Sequence, residues 1–317
     1  MTDSVDRIKL YAYGKINLSL RVLNRRADGY HNIDSLMQDI GLYDVITIEK
    51  CLPNSTKTGL SRCDIFQVVV YLNSGAKEIS NGMDNLALKG VKAVLEELPG
   101  SRICDLKALE IDIDKRLPIA AGIAGGSGNA AATMLGLNAL LGFPLSLREL
   151  MRIGTEIGAD VPFSLMINAY RNYQSLMNLN GIKEASSAAR VRGIGDIVKP
   201  VNSIHRHIIL ANPGISVSTK EAYEALDSFA AGVQKEELFV NDFEKHTLKV
   251  YPEAAELKIY MENNLRADHV LMSGSGPTII AYYPDKAIAE DDFSRMIQFS
   301  SSRKNLRVWL TETGSPQ

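Results

Sequence analysis

Residues 117–142, LPIAAGIAGGSGNAAATMLGLNALLG, concentrate glycine and alanine directly ahead of an apolar helical stripe. Small residues let another group come close to the main chain. The start of a helix carries unsatisfied N–H groups and about half a positive charge. The chemistry this suits is anion binding, above all phosphate, and it needs no lysine. Gly122, Gly125, Gly126 and Gly128 are the positions that would admit it. A Walker A loop requires Lys-Ser/Thr after its last glycine, whereas Asn129-Ala130 stand there, so that motif is excluded. A dinucleotide fingerprint fits the letters of Gly126-Ser127-Gly128-Asn129-Ala130-Ala131, but it should turn straight out of a strand. The preceding strand ends near Asp114, and the acidic residue about 20 positions on is Glu149, inside a helix. Taken alone, the residues leave two readings open: a tight helix start packed under a sheet, and a loop wrapping a triphosphate.

Around this stretch the first half of the chain reads mostly as strands. INLSLRV (16–22) and LEIDID (109–114) alternate apolar and polar residues, and DVITIE (44–49) and IFQVVVYL (65–72) are β-branched and aromatic. Between IFQVVVYL and LEIDID, DNLALKGVKAVLEEL predicts a helix capped by Asp84, with Leu88, Val91, Leu95 and Leu98 on one face. Ala130, Met134, Leu137 and Leu141 predict one apolar face on the helix after the glycines. SLRELMRIGTEIG predicts the next helix. Beyond residue 200, RHIILANPG, HVLM, TIIAYY and RVWLTE read as strands. STKEAYEALDSF, HTLKVYPEAAELKIYMENN and a charged segment near 287–298 read as helices, with Pro252 opening or dividing the second of these. This order suggests an α+β second domain.

The chain has 317 residues, net charge −2, 45% hydrophobic and 23% charged residues, the proportions of a soluble protein long enough for two domains. No basic run suggests nucleic acid, no apolar run approaches a membrane span of about 18 residues, and MTDSVDRIKLYAYG lacks the charged-then-apolar pattern of a signal peptide, so none is expected. Cys51, Cys63 and Cys104 are scattered, and the five histidines form no HExxH, so a disulfide frame, a structural zinc and metal-centred hydrolysis are not expected. A cytoplasmic protein is expected.

PIAAGIAGGSGNAA, together with AYGKINLSL near the start and MSGSGP near the end, resembles the three motifs of the GHMP kinases, in their order and across nearly the whole chain. KINLSLRVLNRRADGYHNIDSLMQDIGLYDVITI and EIGADVPFSL resemble one branch, the kinases of a cytidine-diphosphate sugar alcohol in non-mevalonate isoprenoid synthesis. The resemblance implies a two-domain α+β GHMP kinase fold: a ribosomal-S5-like ATP-binding domain over 1–167 and a ferredoxin-like substrate domain over 168–317. It implies a monomer or weak homodimer acting on a small molecule, with ATP and Mg2+, away from nucleic acid and membrane. Pro118, Ile119, Ala120, Ala121, Gly122, Ile123, Ala124, Gly125, Gly126, Ser127 and Gly128 would hold the ATP phosphates, and Ser127 is the best protein-side candidate for the phosphates or the ion. Asp160 matches the base and Lys15 the cation that neutralises it or the transferring phosphate. Asn17 shares Lys15's face and could bind substrate. Tyr30 and His31, with Thr219 and Tyr223, match the groups that hold the cytosine, and the SGSG of 273–276 would brace the phosphate loop.

Each residue has a plainer reading: Asp160 as a helix cap before Pro162, Lys15 on a strand's solvent face, Tyr30-His31 in a turn. Ala120, Ala121 and Ala124 stand where some members carry glycine, with only modest effects expected. Residues 168–199 depart most, because GIGD (193–196) arrives late, as though a segment were inserted, and Asn168-Ala169 stand where small residues belong. Other functions in play are a GHMP kinase for homoserine or mevalonate and a nucleotide-binding relative without catalysis. His205 and His207, around Arg206, have no role in the resemblance and read as surface.

Overall fold

The computed structural model describes residues 6–53, 60–226 and 237–314. The chain forms two compact units, each assembled from separated segments: Met1–Gly14, Leu42–Leu117 and Gly125–Ser186 in the first, Lys15–Gly41, Pro118–Ala124 and Ser187–Gln317 in the second. The units therefore interleave along the sequence, and the expected boundary at 167/168 falls inside a helix.

In the first unit, β1 (Arg7–Arg25) and β2 (His31–Cys51) are long strands that pair with each other, and the division between units passes through both. β3 (Ser61–Ile65) and β4 (Val68–Asn73) form a hairpin where one strand was expected, because Phe66, in the left-handed region at φ 54°, turns the chain. α1 (Leu86–Glu97) starts one residue later than expected: Asn85, not Asp84, accepts from the Ala87 amide. A single turn, α2 (Gly100–Ile103), leads to β5 (Ala108–Asp114), which pairs antiparallel with β2 and parallel with β4. α3 (Gly125–Leu140) is not the one-faced helix of the sequence reading. It is buried on nearly every side from Gly128 to Leu140, and Leu141 lies beyond its end. Its small residues explain this. A Cβ on Gly128 would lie 3.1 Å from the Tyr13 carbonyl oxygen, and one on Gly136 would lie 2.7 Å from Ile48 Cδ1, so the helix seats directly on the sheet. α4 (Leu147–Gly154) opens with a Ser146/Glu149 capping box, which gives Glu149 a structural task. α5 (Val161–Arg171) and the turn α6 (Tyr173–Leu176) complete the unit.

The second unit contains β6 (Ala188–Gly193) and β7 (Ile197–Pro200), a hairpin on β2 whose turn is the late-arriving Ile194-Gly195-Asp196. The extra chain is thus the end of α5 followed by short helical turns and loop to residue 187, and the expected strand pair follows it. β8 (Arg206–Asn212) is central, with an antiparallel neighbour on each side. α7 (Thr219–Leu226) begins at Thr219; the expected continuation through Asp227, Ser228 and Phe229 lies outside the described residues. β9 (Val240–Asn241) pairs with β1, and α8 (Glu244–Val250) and α9 (Pro252–Asn264) are separate helices, with Pro252 in the first turn of the latter. β10 (His269–Met272) and β11 (Ile279–Tyr283) flank the SGSGP turn, α10 (Lys286–Ser300) follows, and β12 (Arg307–Thr313) closes on β8 antiparallel. Ile208 through Leu210, Ile279, Ile280 and Met296 form its buried interior.

Candidate active site

The phosphate-loop candidate runs out of β5 and into α3. Ala120, Gly122 and Ala124 take φ values of 52°, 72° and 56°, an alternating left-handed path. Glycine adopts that region freely and alanine does not, at roughly 1–2 kcal/mol per residue. The alanines at 120 and 124 are therefore strained, where the sequence reading expected only modest consequences. Ala121, by contrast, is buried and has no such φ. Gly122 is required for two reasons: its φ, and the Ser273 carbonyl oxygen 2.5 Å from where a Cβ would sit.

At the other end of the loop, none of the described residues accepts a hydrogen bond from the first α3 amides, Gly125, Gly126 and Ser127. Gly126 is exposed and Ser127 half-buried. This is the donor-rich, positively polarised helix start that an anion requires.

Two residues missed in the sequence hold the first unit's part of this loop. Asp44, fully buried, accepts from the Arg116 and Leu117 amides at 2.7 Å each and pairs with the ammonium of Lys115. The Asn129 amide, oriented to satisfy its neighbours, donates to Asp44 Oδ2 at 2.8 Å and to the Gly125 carbonyl at 3.2 Å. One carboxylate thereby ties the residues before the loop to the first turns of α3. Lys115 Nζ lies 3.0 Å from where a Gly125 Cβ would be, so a cation stands at the helix start although no lysine follows the glycines. The signal was present in the sequence as an acidic residue opening DVITIE and a lysine closing LEIDIDK, but nothing in one dimension joins them.

Asp160, also in the first unit, occupies the N-cap position of α5 with Pro162 in the first turn. Its side chain makes no capping hydrogen bond, so the plain reading of this carboxylate is not what the structure uses it for. The helix extends four residues past Ile167 with Asn168 and Asn172 facing β1. Asn168 Oδ1 accepts from the Tyr13 amide at 2.8 Å. Asn172 Oδ1 accepts from Tyr11 N, and its Nδ2 donates to Tyr11 O, both at 2.9 Å. These amides do for β1's backbone what a neighbouring strand would do.

In the second unit the KIN motif, the 118–124 segment and the SGSG turn form one hydrogen-bonded cluster. Lys15 is 4% exposed, which rules out a solvent-face lysine. Its amide donates to the Ile123 carbonyl and its ammonium to Asn17 Oδ1, each at 3.0 Å. Asn17 Oδ1 also accepts from the Gly274 amide at 3.2 Å, while its Nδ2 donates to Ser35 Oγ at 2.8 Å. Asn17 therefore orients Lys15. Ser273 Oγ donates to the Gly122 carbonyl at 3.1 Å, the brace expected of the third motif.

The base-binding candidates also gather in this unit. His31 stacks on Tyr223 with ring centroids 5.2 Å apart, and Tyr223 meets Phe243 edge-on at 4.8 Å. Phe243 was not anticipated. Tyr30 is 63% exposed, on a turn where Asp28 accepts its amide and pairs with Arg26. The Arg26 guanidinium holds the Asp28 carboxyl below the usual carboxylate range. Thr219 Oγ1 is 2.9 Å from Ser275 Oγ, and Thr247 Oγ1 donates to the Ser275 carbonyl. A groove of about 610 Å3 in the same unit is lined by Asp34, Arg190 and Arg192, whose charges meet one another at 2.7–3.1 Å. No helix among the described residues is long and apolar enough to cross a membrane.

Comparison with known proteins identifies the family. Residues 85–167 match the family described as GHMP kinases N terminal domain, and residues 220–300 match GHMP kinases C terminal. The chain is 33% identical over 309 residues to the 4-diphosphocytidyl-2-C-methyl-D-erythritol kinase of Alkaliphilus metalliredigens, covering 92% of each chain. It is 31% identical to the protein of that name from Lachnospira eligens, covering 98% of this chain and 100% of the other. A crystal structure of 4-(cytidine 5'-diphospho)-2C-methyl-D-erythritol kinase superposes with a TM-score of 0.71 at 24% identity, covering 98% of this chain and all of the other. A homoserine kinase from Cytophaga hutchinsonii reaches 0.61 at 14%, covering 98% and 96%. At those identities the structural likeness speaks for the fold.

Proposed function

The chain belongs to the 4-diphosphocytidyl-2-C-methyl-D-erythritol kinase family of the GHMP kinases, and from that premise we propose that it transfers the γ-phosphate of ATP to the 2-hydroxyl of 4-diphosphocytidyl-2-C-methyl-D-erythritol. The observation that carries the reading is the start of α3, where amides without an acceptor among the described residues follow a left-handed glycine-alanine loop.

Phosphoryl transfer asks for positioning and charge stabilisation more than for covalent chemistry. Residues 118–128 hold the polyphosphate by backbone amides, with Asp44 and Ser273 fixing the loop before the nucleotide arrives. Asp160 takes the proton of the attacking hydroxyl. A carboxylate with an ordinary pKa near 3.9 is ionised at neutral pH and acts late, as that hydroxyl becomes acidic. Lys15, oriented by Asn17, offsets negative charge on the transferring group. Magnesium, when bound with ATP, would offset the charge of the phosphates, and the Ser127 hydroxyl is the side chain on the loop that would help to hold it. Tyr30, His31, Thr219 and Tyr223 hold the acceptor's cytosine, by a ring face and polar edges. We place this reaction in the cytoplasm, carried out by a monomer or weak homodimer.

The aromatic cluster favours a nucleobase-bearing acceptor over homoserine or mevalonate. Incubation with magnesium-ATP and a panel of alcohols tests this. The expected result is ADP formed stoichiometrically with the cytidine-diphosphate alcohol alone. Turnover of homoserine or mevalonate instead would reassign the acceptor, and ATP binding without any turnover would show a catalytically silent relative.

A further inference from the structure

The two histidines that the kinase chemistry leaves unexplained lie on one strand face with a glutamate. β8 and β12 are antiparallel neighbours with His207 directly opposite Glu312 and Arg206 opposite Thr313. His205 precedes β8 by one residue and shares His207's face by the two-residue period. His205 Nε2 and His207 Nδ1 each lie 3.9 Å from Glu312 Oε2, and the three donor atoms are all within 4.8 Å of one another. The imidazole rings meet edge-on at 5.1 Å.

We propose that His205, His207 and Glu312 bind a divalent transition metal of the zinc class, which fastens the strand β12 to β8. Two imidazoles and a carboxylate are a common three-ligand set for zinc, which leaves a fourth position for water. Metal–ligand bonds of about 2.0–2.2 Å require donors roughly 3.3 Å apart, so the present spacing closes with small side-chain rotations. The feature that makes this more than three neighbouring side chains is the other nitrogen of His205. Nδ1 lies 3.0 Å from the Thr313 carbonyl oxygen. A carbonyl only accepts, so Nδ1 donates, and in the neutral imidazole the lone pair is left on Nε2, the nitrogen nearer Glu312. Metal-binding histidines are oriented by this same kind of outer hydrogen bond. Arg206, the nearest cation in sequence, points its guanidinium at the His205 carbonyl oxygen, 2.8 Å away. Imidazole donors select zinc, copper or nickel over magnesium, so the magnesium that accompanies ATP would not compete. His205 is 49% exposed and Glu312 41%, so a metal can reach the site.

The full-length protein, stripped with chelator and titrated with zinc chloride by calorimetry, should bind one equivalent and melt at a higher temperature. His207→Ala and Glu312→Gln should each weaken binding by about tenfold to a hundredfold or more, the range already seen when only an outer partner is lost. His205→Gln, at an exposed position that tolerates substitution, should do the same. Turnover of magnesium-ATP should stay at the wild-type level in all three variants. Cobalt(II) in place of zinc should give a spectrum without thiolate charge-transfer bands, which separates this site from Cys51, Cys63 or Cys104. Absence of zinc binding, binding undiminished in His205→Gln and His207→Ala, or a thiolate spectrum would each overturn the proposal.

Discussion

α3 and α5 are neighbouring helices of one compact unit that treat hydrogen-bonding capacity in opposite ways. α3 begins with amides that no described protein group accepts, behind a loop whose alanines sit in the left-handed region. α5 carries Asn168 and Asn172, whose oxygens are taken up by the main chain of β1. The first arrangement carries donors that a ligand can satisfy, and the second has its capacity taken up by the main chain. Function sits where polar capacity is left over, and stability where it is filled.

That contrast can be broken or sharpened by substitution. The largest effect is expected from Asp160→Asn, at the N-cap of α5 where the carboxylate is not used as a cap: turnover should fall about 10²–10⁴-fold while ATP affinity is kept. Equal loss of nucleotide affinity in a titration would make the residue structural. Next is Asp44→Ala, which strands the buried ammonium of Lys115 and frees the loop's anchors. Unfolding by denaturant should show a loss of about 3–5 kcal/mol, with a raised KM for ATP. Asn172→Ala should cost about 1–3 kcal/mol by leaving the Tyr11 amide and carbonyl unmet, and kcat should not change. Ala120→Gly is the mildest. Relief of a left-handed alanine, offset by the added freedom of an unfolded glycine, should raise stability by less than about 1 kcal/mol in thermal melts.

The glycine-alanine loop was legible in its own residues, whereas KIN and SGSG were legible as site motifs only through the resemblance to the GHMP kinases. Asp44 and Lys115 were not, since their pairing joins residues 71 apart in sequence through the β2–β5 ladder. Residues 168–199 read as a disturbed junction because GIGD arrives late and Asn168-Ala169 stand where small residues are expected; in the structure Asn168 and Asn172 pair with the main chain of β1. Their spacing of four places both on one helix face, and only the strand beside them explains why asparagine is there. The interleaving of the two units escaped notice for a related reason: β1 and β2 each read as one element, and nothing in their composition marks Gly14 or Gly41 as a division. Asp84 yielded to Asn85 as the α1 cap because the helix starts one residue later, a margin below the resolution of any capping pattern.

Polyphosphate capture by free main-chain amides at the head of α3 can be read directly by titrating ¹⁵N-labelled protein with magnesium-ATP and following amide shifts. Saturable movement of Gly125, Gly126 and Ser127, with Tyr11 and Tyr13 unmoved, is the expected result. Stationary loop amides under a nucleotide that demonstrably binds would contradict it.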